Sequence, residues 1–237
     1  MIGNDIVDLN DPEAQPTERT PGFDARVFSP AENDRIQASD DRVRARWLTW
    51  AAKEAGYKLL RQRAPTVRFV PRQYAVGFDS PEQALAEGRE QSMGWVEAEG
   101  LRLVCEWASA PGFVHAFCRL GGGFGGGLGE TLPRPCVGFD RLEVATCVPE
   151  RLSEGVRVLA LRKIGLFLGV GTRRLAIHKR GRIPGLWLDG APLASALSLS
   201  HHGKMVAFAF SASSRVLSTH VGSGGAATVM AAGGDTL

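Results

Sequence analysis

WLTWAAKEAGYKLL, residues 47–60, sets a Lys-Glu pair into the middle of an otherwise apolar stretch. A helical repeat of about 100° per residue puts Leu48, Ala52, Ala55 and Leu59 on one narrow stripe, the face expected to meet a core. Trp47, Ala51, Glu54 and Lys58 form a second stripe beside it, and Trp50, Lys53 and Tyr57 take the far side. Glu54 and Lys58 therefore sit on the flank of the core face. Two readings stay open. One is a surface pair four residues apart, worth a few tenths of a kcal/mol. The other is a half-buried carboxylate and ammonium, which is costly unless something polar meets them.

A second carboxylate lies near the start of the chain. In IGNDIVDL, residues 2–9, a strand period puts Gly3, Asp5 and Val7 on one face. Aspartate is disfavoured in mid-strand, so Asp5 marks either a strand end or a site. Gly3 would let a ligand approach the backbone closely. Carboxylates of Asp5 and Glu54, if brought together, would suit Mg2+, which takes one or two protein carboxylates and substrate phosphates. A basic turn, SLSHHGK at residues 198–204, gathers Ser200, His201, His202 and Lys204. It reads either as an exposed turn or as a grip for phosphate. A zinc site is not expected there, because adjacent histidines in a turn do not converge.

The rest of the chain organises around these segments. PEAQPTERTPG (12–22) reads as loop. SPAEND opens a helix through a capping box of Ser29 and Glu32, with Pro30 at the first helical position. A second helix is predicted from near Ser39 to a stop before Pro65. VRFVPRQYAV (67–76), WVEAEGLRLVCEW (95–107) and GFVHAFCRL (112–120) read as strands. The stretch Gly121 to Glu130 is so rich in glycine that it reads as linker; it lacks the Lys-Ser/Thr of a phosphate loop. Beyond it come a helix with Ser153 as cap, a strand-turn-strand over RRLAIHKRGRIPGLWLDG, and a hairpin over SALSLSHHGKMVAFAF. The expected organisation is a first α/β half at 1–120, a linker region at 121–150, a second half at 151–218 and a disordered tail at 219–237.

With 44% hydrophobic and 22% charged residues, the composition is that of an ordinary globular protein. No apolar run approaches the roughly 20 residues of a membrane span. The opening MIGNDIVDL carries acids where a signal peptide is basic and apolar, so a cytoplasmic protein is expected, with four reduced cysteines. No membrane or nucleic-acid partner is expected. The net charge of +3 hides clustered arginines, which form solvated faces or meet phosphates or an acidic partner.

IGNDIVDL, WAAKEAGYKLL and SLSHHGKMVAFAF together resemble the three signature segments of the 4′-phosphopantetheinyl transferases: a G-x-D-[IV]-x-[DE] strand, a W-x-x-K-E-A-x-x-K helix and an S-x-S-H hairpin. Their order is similar to the holo-acyl-carrier-protein synthase type. The chain length is similar to the larger surfactin-synthetase-activating type, in which the Ser-His segment usually comes first. The resemblance implies an α+β fold in which two α/β halves form a pseudo-dimer. The motif order is explained either by circular permutation or by a long insertion in a synthase-type chain. A pseudo-dimer would suffice as a monomer; a single genuine half would imply a trimer.

The resemblance also implies a chemistry. Asp5 and Glu54 would bind Mg2+, and Glu54 and Lys58 would be catalytic. Lys58, Ser200, His201, Arg162 and Arg182 would contact coenzyme A, with Arg42, Arg44 and Arg46 facing coenzyme A or an acidic carrier protein. The product would be phosphopantetheine on a carrier-protein serine, in fatty-acid or secondary-metabolite biosynthesis. Two departures from the family pattern stand out. Val7 occupies the place of the larger type's second carboxylate, with Asp8 on the opposite strand face. The family's Gly-Lys-Pro turn reads Gly181-Arg182-Ile183-Pro184. Competing expectations are a coenzyme-A-binding module without turnover and a metal-dependent phosphoesterase.

Overall fold

A side chain that is absent sets the packing of the first strand. In the computed structural model, which describes residues 1–17, 19–78, 91–120, 134–143, 148–213 and 216, β1 (Ile2–Asp8) is buried along its whole length. A Cβ placed on Gly3 would lie 2.0 Å from Ala55 O and 2.6 Å from Leu59 N. Both belong to the long helix α3 (Arg42–Arg63), so its backbone rests directly on the strand. The close approach that Gly3 permits is thus made by the protein's own helix, where a ligand was expected.

Asp41 caps α3 by accepting from Arg44 N, and the helix ends two residues before Pro65. It lies across an antiparallel sheet of order β1-β5-β4-β3-β2, with β2 (Ala75–Phe78), β3 (Gln91–Ala98), β4 (Leu101–Ala110) and β5 (Phe113–Leu120). Leu48, Ala52, Ala55 and Leu59 form the buried stripe as the periodicity requires. Small residues at Ala51, Ala52 and Ala55 keep helix and sheet close, over a core completed by Val96, Leu103, Val114 and Ala116.

The far side of α3 is covered as well. Lys53 is completely buried, because two short helices, α1 (Thr20–Val27) and α2 (Pro30–Ala38), and the turn before β2 pack over it. Its ammonium pairs with Glu32 at 2.8 Å and donates to the carbonyls of Pro71, at 3.1 Å, and Tyr74, at 2.5 Å. Glu32 closes the capping box on Ser29 N and also accepts from Val76 N at 2.9 Å. One carboxylate thereby ties α2, α3 and β2 together. Arg46 is buried as well, in a two-pronged pair with Asp24, and Arg44 bonds Asp41 and Ala110 O. Neither Arg44 nor Arg46 is thus a free face for a ligand; Arg42 is exposed.

Three other elements differ from expectation. Part of the supposed loop 12–22 begins α1, with Pro21 in the first turn where a missing N–H costs nothing. VRFVPRQYAV is strand only from Ala75, since Pro71 opens a 3-10 turn and Phe69 stacks on Tyr57, 4.9 Å between rings. WVEAEGLRLVCEW folds into a hairpin, because Glu99 and Gly100 take φ of 52° and 69°, the turn that suits twisted strands.

The second half has its own core. Helix α4 (Pro149–Leu168) begins four residues before Ser153 and ends at Gly169, whose φ is 67°. It packs on an antiparallel sheet of order β10-β11-β6, with β6 (Cys136–Arg141), β10 (Ser195–His202) and β11 (Met205–Ala212). A third sheet joins β7 (Leu175–Arg180), β8 (Ile183–Leu188) and β9 (Ala191–Pro192). Strand β6 falls in the stretch read as linker; the glycine run 121–130 and the tail 219–237 lie outside the described residues. Cys105, Cys118 and Cys136 are free and buried.

The two halves meet through β1. Its even residues face the second sheet, Ile2 with Val137 and Ala209, and Ile6 with Met205 and Ala207. The architecture is α+β with antiparallel sheets. Among the described residues, no helix is long and apolar enough to cross a membrane.

Gly3→Ala is expected to cost about 3 kcal/mol or more, because backbone has to move to admit the methyl group. Gly22→Ala, which meets nothing within 4 Å, should stay within roughly 1 kcal/mol of wild type. Urea unfolding midpoints read both. Lys53→Met leaves Glu32 as a buried unpaired charge and is expected to cost roughly 3–5 kcal/mol in the same measurement.

Candidate active site

Gly3 and Asp5 share a face of β1, so the contact that seats α3 also brings Asp5 to that helix. Lys58, one turn after Glu54, places its Nζ 2.7 Å from Asp5 Oδ1. Asp5 is 8% exposed and paired in mid-strand with Ala116, so its carboxylate is held at a site and is not a strand end. Glu54 is half-buried on the same flank. Burial pushes its pKa up to about 7, Lys58 pulls it down, and the nearby Asp5 carboxylate pushes it up again. The helical flank and the strand face therefore converge on one acid-base cluster.

The basic turn approaches the same cluster. Strands β10 and β11 pair up to His202 and Met205, leaving Gly203 and Lys204 as the tip, with Gly203 at φ 54°. His201 is on the exposed surface, yet the protein around it lowers its pKa by desolvation and Lys58 lowers it further. Asp5 acts in the opposite direction, and Lys179 and His202 add to the lowering. Asp5, Lys58 and His201 thus come within electrostatic reach of one another from three distant parts of the chain. Lys179, on β7, also acts on His201 and was not singled out from sequence; it stands between His178 and Arg180, and nothing in the pattern distinguishes it.

Other expected contacts fall elsewhere. Alternation along β10 turns Ser200 to the face opposite His201, where it is buried and accepts from Asn4 Nδ2 at 3.0 Å. Arg162 is exposed on α4 and Arg182 is exposed in the β7–β8 turn. Neither is among the charges that shift Glu54 or His201. Asp8 points away from Asp5, as the strand period requires, and accepts from Lys204 N and Asn10 N, both at 3.0 Å.

Two groups of residues invite a metal. His202 converges with Asp11 and Glu13, whose ligand atoms lie within 4.8 Å of one another, although adjacent histidines gave no such expectation. The Nδ1 of His202 accepts from Asp8 N at 3.3 Å, which leaves the proton of the neutral ring on Nε2. That ring is a donor to carboxylates more than a metal ligand. Asp5 and Glu54 fit a hard cation better. Their side chains are partly desolvated, the Asp5 carboxylate adds to the raised pKa of Glu54, and the Lys58 ammonium already occupies the position of a counter-ion to Asp5.

A family model described as the 4′-phosphopantetheinyl transferase superfamily matches residues 1–118. Over those residues the chain belongs to that superfamily. The matched region contains Asp5, Glu54 and Lys58 and ends before Ser200 and His201. Membership points to a transferase and to the phosphopantetheinyl group; the superfamily uses coenzyme A and typically a divalent metal. No curated protein matches the chain significantly.

Glu54 is expected to titrate near pH 7 by carbon NMR of labelled glutamate, above its ordinary 4.5. Lys58→Met should move the midpoint up and Asp5→Asn should move it down, since each removes the corresponding charge. Because the folded-state value is the higher one, the stability Glu54 contributes is present below pH 4.5 and is lost as pH rises through about 7.

Proposed function

We propose that this protein transfers 4′-phosphopantetheine from coenzyme A to a serine of an acyl or peptidyl carrier protein, with Mg2+ as cofactor. The observation that carries this reading is the convergence of Asp5, Glu54 and Lys58 on one flank of α3, in a chain whose first 118 residues match the superfamily model.

Phosphoryl transfer is governed by positioning and by charge neutralisation more than by covalent help from the protein. Asp5 and Glu54 would hold the metal, which supplies positive charge to the pyrophosphate of coenzyme A. Glu54 would take the proton from the carrier serine as its oxygen attacks the β-phosphate. Lys58 would neutralise the phosphates and give a proton to the departing adenosine 3′,5′-bisphosphate. His201, with Lys179 beside it, would contact the nucleotide phosphates. Arg162 and Arg182 would reach the nucleotide only at its outer end. Ser200, its hydroxyl already engaged by Asn4, would serve by holding β10 in place.

The same reading extends to the architecture. Each half carries one long helix, α3 or α4, over an antiparallel sheet, and β1 faces the sheet that bears His201. We read this as a permuted pseudo-dimer with one composite site, acting as a monomer.

Incubation with a carrier protein, coenzyme A and Mg2+ is expected to add the mass of one phosphopantetheine to the carrier. Glu54→Gln should lower the rate roughly 100-fold or more while leaving the melting temperature close to wild type. No mass gain on any carrier tried, with coenzyme A bound, would favour the non-catalytic module instead.

A further inference from the structure

Several polar ties cross the contact between the halves, and one cluster of them is buried. Asn4 N donates to Ser198 Oγ at 3.0 Å, Asn4 Nδ2 donates to Ser200 Oγ at 3.0 Å, and the same amide lies 3.2 Å from His115 Nε2. All four residues are at most 4% exposed. Burial pushes the His115 pKa down to about 3, so the ring is neutral and serves only as a hydrogen-bonding group.

The bonds also define a register. Asn4 meets Ser198 and Asp8 N meets His202 Nδ1, a constant offset of 194 residues, so β10 runs parallel to β1 along its free edge. Side-chain oxygens and an imidazole stand where a neighbouring strand would offer carbonyls. Asn4 immediately precedes Asp5, and Ser200 immediately precedes His201. A slip of one residue would exchange the faces of Ser200 and His201. The apolar contacts of Ile2 and Ile6 with alanines and Met205 would tolerate such sliding, whereas a buried amide left without partners would not.

We propose that Asn4 is a positioning residue: through Ser198 and Ser200 it fixes where His201 stands relative to the Asp5–Lys58 pair, and so sets how the composite site grips coenzyme A. This rests on the reading of His201 as a contact of the nucleotide phosphates. Asn4 touches no substrate itself. A second tie between the halves, Lys204 N to Asp8 Oδ2 at 3.0 Å, does not involve it, so its loss need not unfold the protein.

The test uses Asn4→Leu, the milder Ser200→Ala and the double variant in the full chain. Each single variant is expected to raise KM for coenzyme A about 10-fold or more, with KM for the carrier protein unchanged. The double variant should be no worse than the worse single one, because both break one link. In a His201→Ala background, Asn4→Leu should add nothing to KM for coenzyme A. A purely structural role would still add its penalty there, and that result, or an unchanged KM in the single variants, would overturn the proposal. If wild-type protein neither binds coenzyme A nor modifies a carrier, the functional reading fails. The clasp is then read from amide hydrogen exchange. Faster exchange over Ser198–His202 in Asn4→Leu supports it, and unchanged exchange overturns it.

Discussion

The strand β1 has no room on one face for anything larger than hydrogen at Gly3. Everything that makes the candidate site follows from the way α3 occupies that room. With Ala55 O almost in contact with the strand backbone, the next inward residue, Asp5, cannot avoid the flank of the helix. Glu54 and Lys58 lie on that flank because they fall one residue off the core stripe. The acid-base cluster is therefore a consequence of close packing, and its electrostatics follow in turn. Burial raises the proton affinity of Glu54, while the positive charge of Lys58, itself paired with Asp5, limits the rise.

Buried charges in this protein serve two purposes that burial alone does not distinguish. Lys53 and Glu32 are sealed from water and saturated with backbone partners, so they bind α2, α3 and β2 into one body and have nothing left to offer a ligand. Asp5, Glu54 and Lys58 are partly open and hold fewer partners than their atoms can take. Two adjacent residues, Lys53 and Glu54, thus belong to opposite categories. Helix geometry separates their directions by about 100°, and α1 and α2 cover only one of them.

Much of the fold was legible because local physics decides it. The capping box at Ser29, the α3 stop before Pro65 and the turn at Gly203 each depend on residues within one turn of one another. The errors came where distant parts intervene. Periodicity put Lys53 on the far side of α3, and nothing in residues 47–60 announces that α2 will cover it. Phe69 looked like a strand residue until Tyr57 and Tyr74 drew it into an aromatic cluster. Alternation along β10 does not say which face meets β1, so the bond of Ser200 to Asn4 was not legible either.

For the site, sequence alone determined the residue types and the faces that some of them share: Asp5 with Gly3, and Glu54 with Lys58. These are matters of strand and helix period, which need no partner. Only the tertiary structure decided which faces meet. It brought Lys58 to Asp5, put His201 within electrostatic reach of both, and hid Asn4 and Ser200 between the sheets. The reason is that pairing across 50 to nearly 200 residues of chain depends on shape and on hydrogen bonds that exist only once both halves are folded.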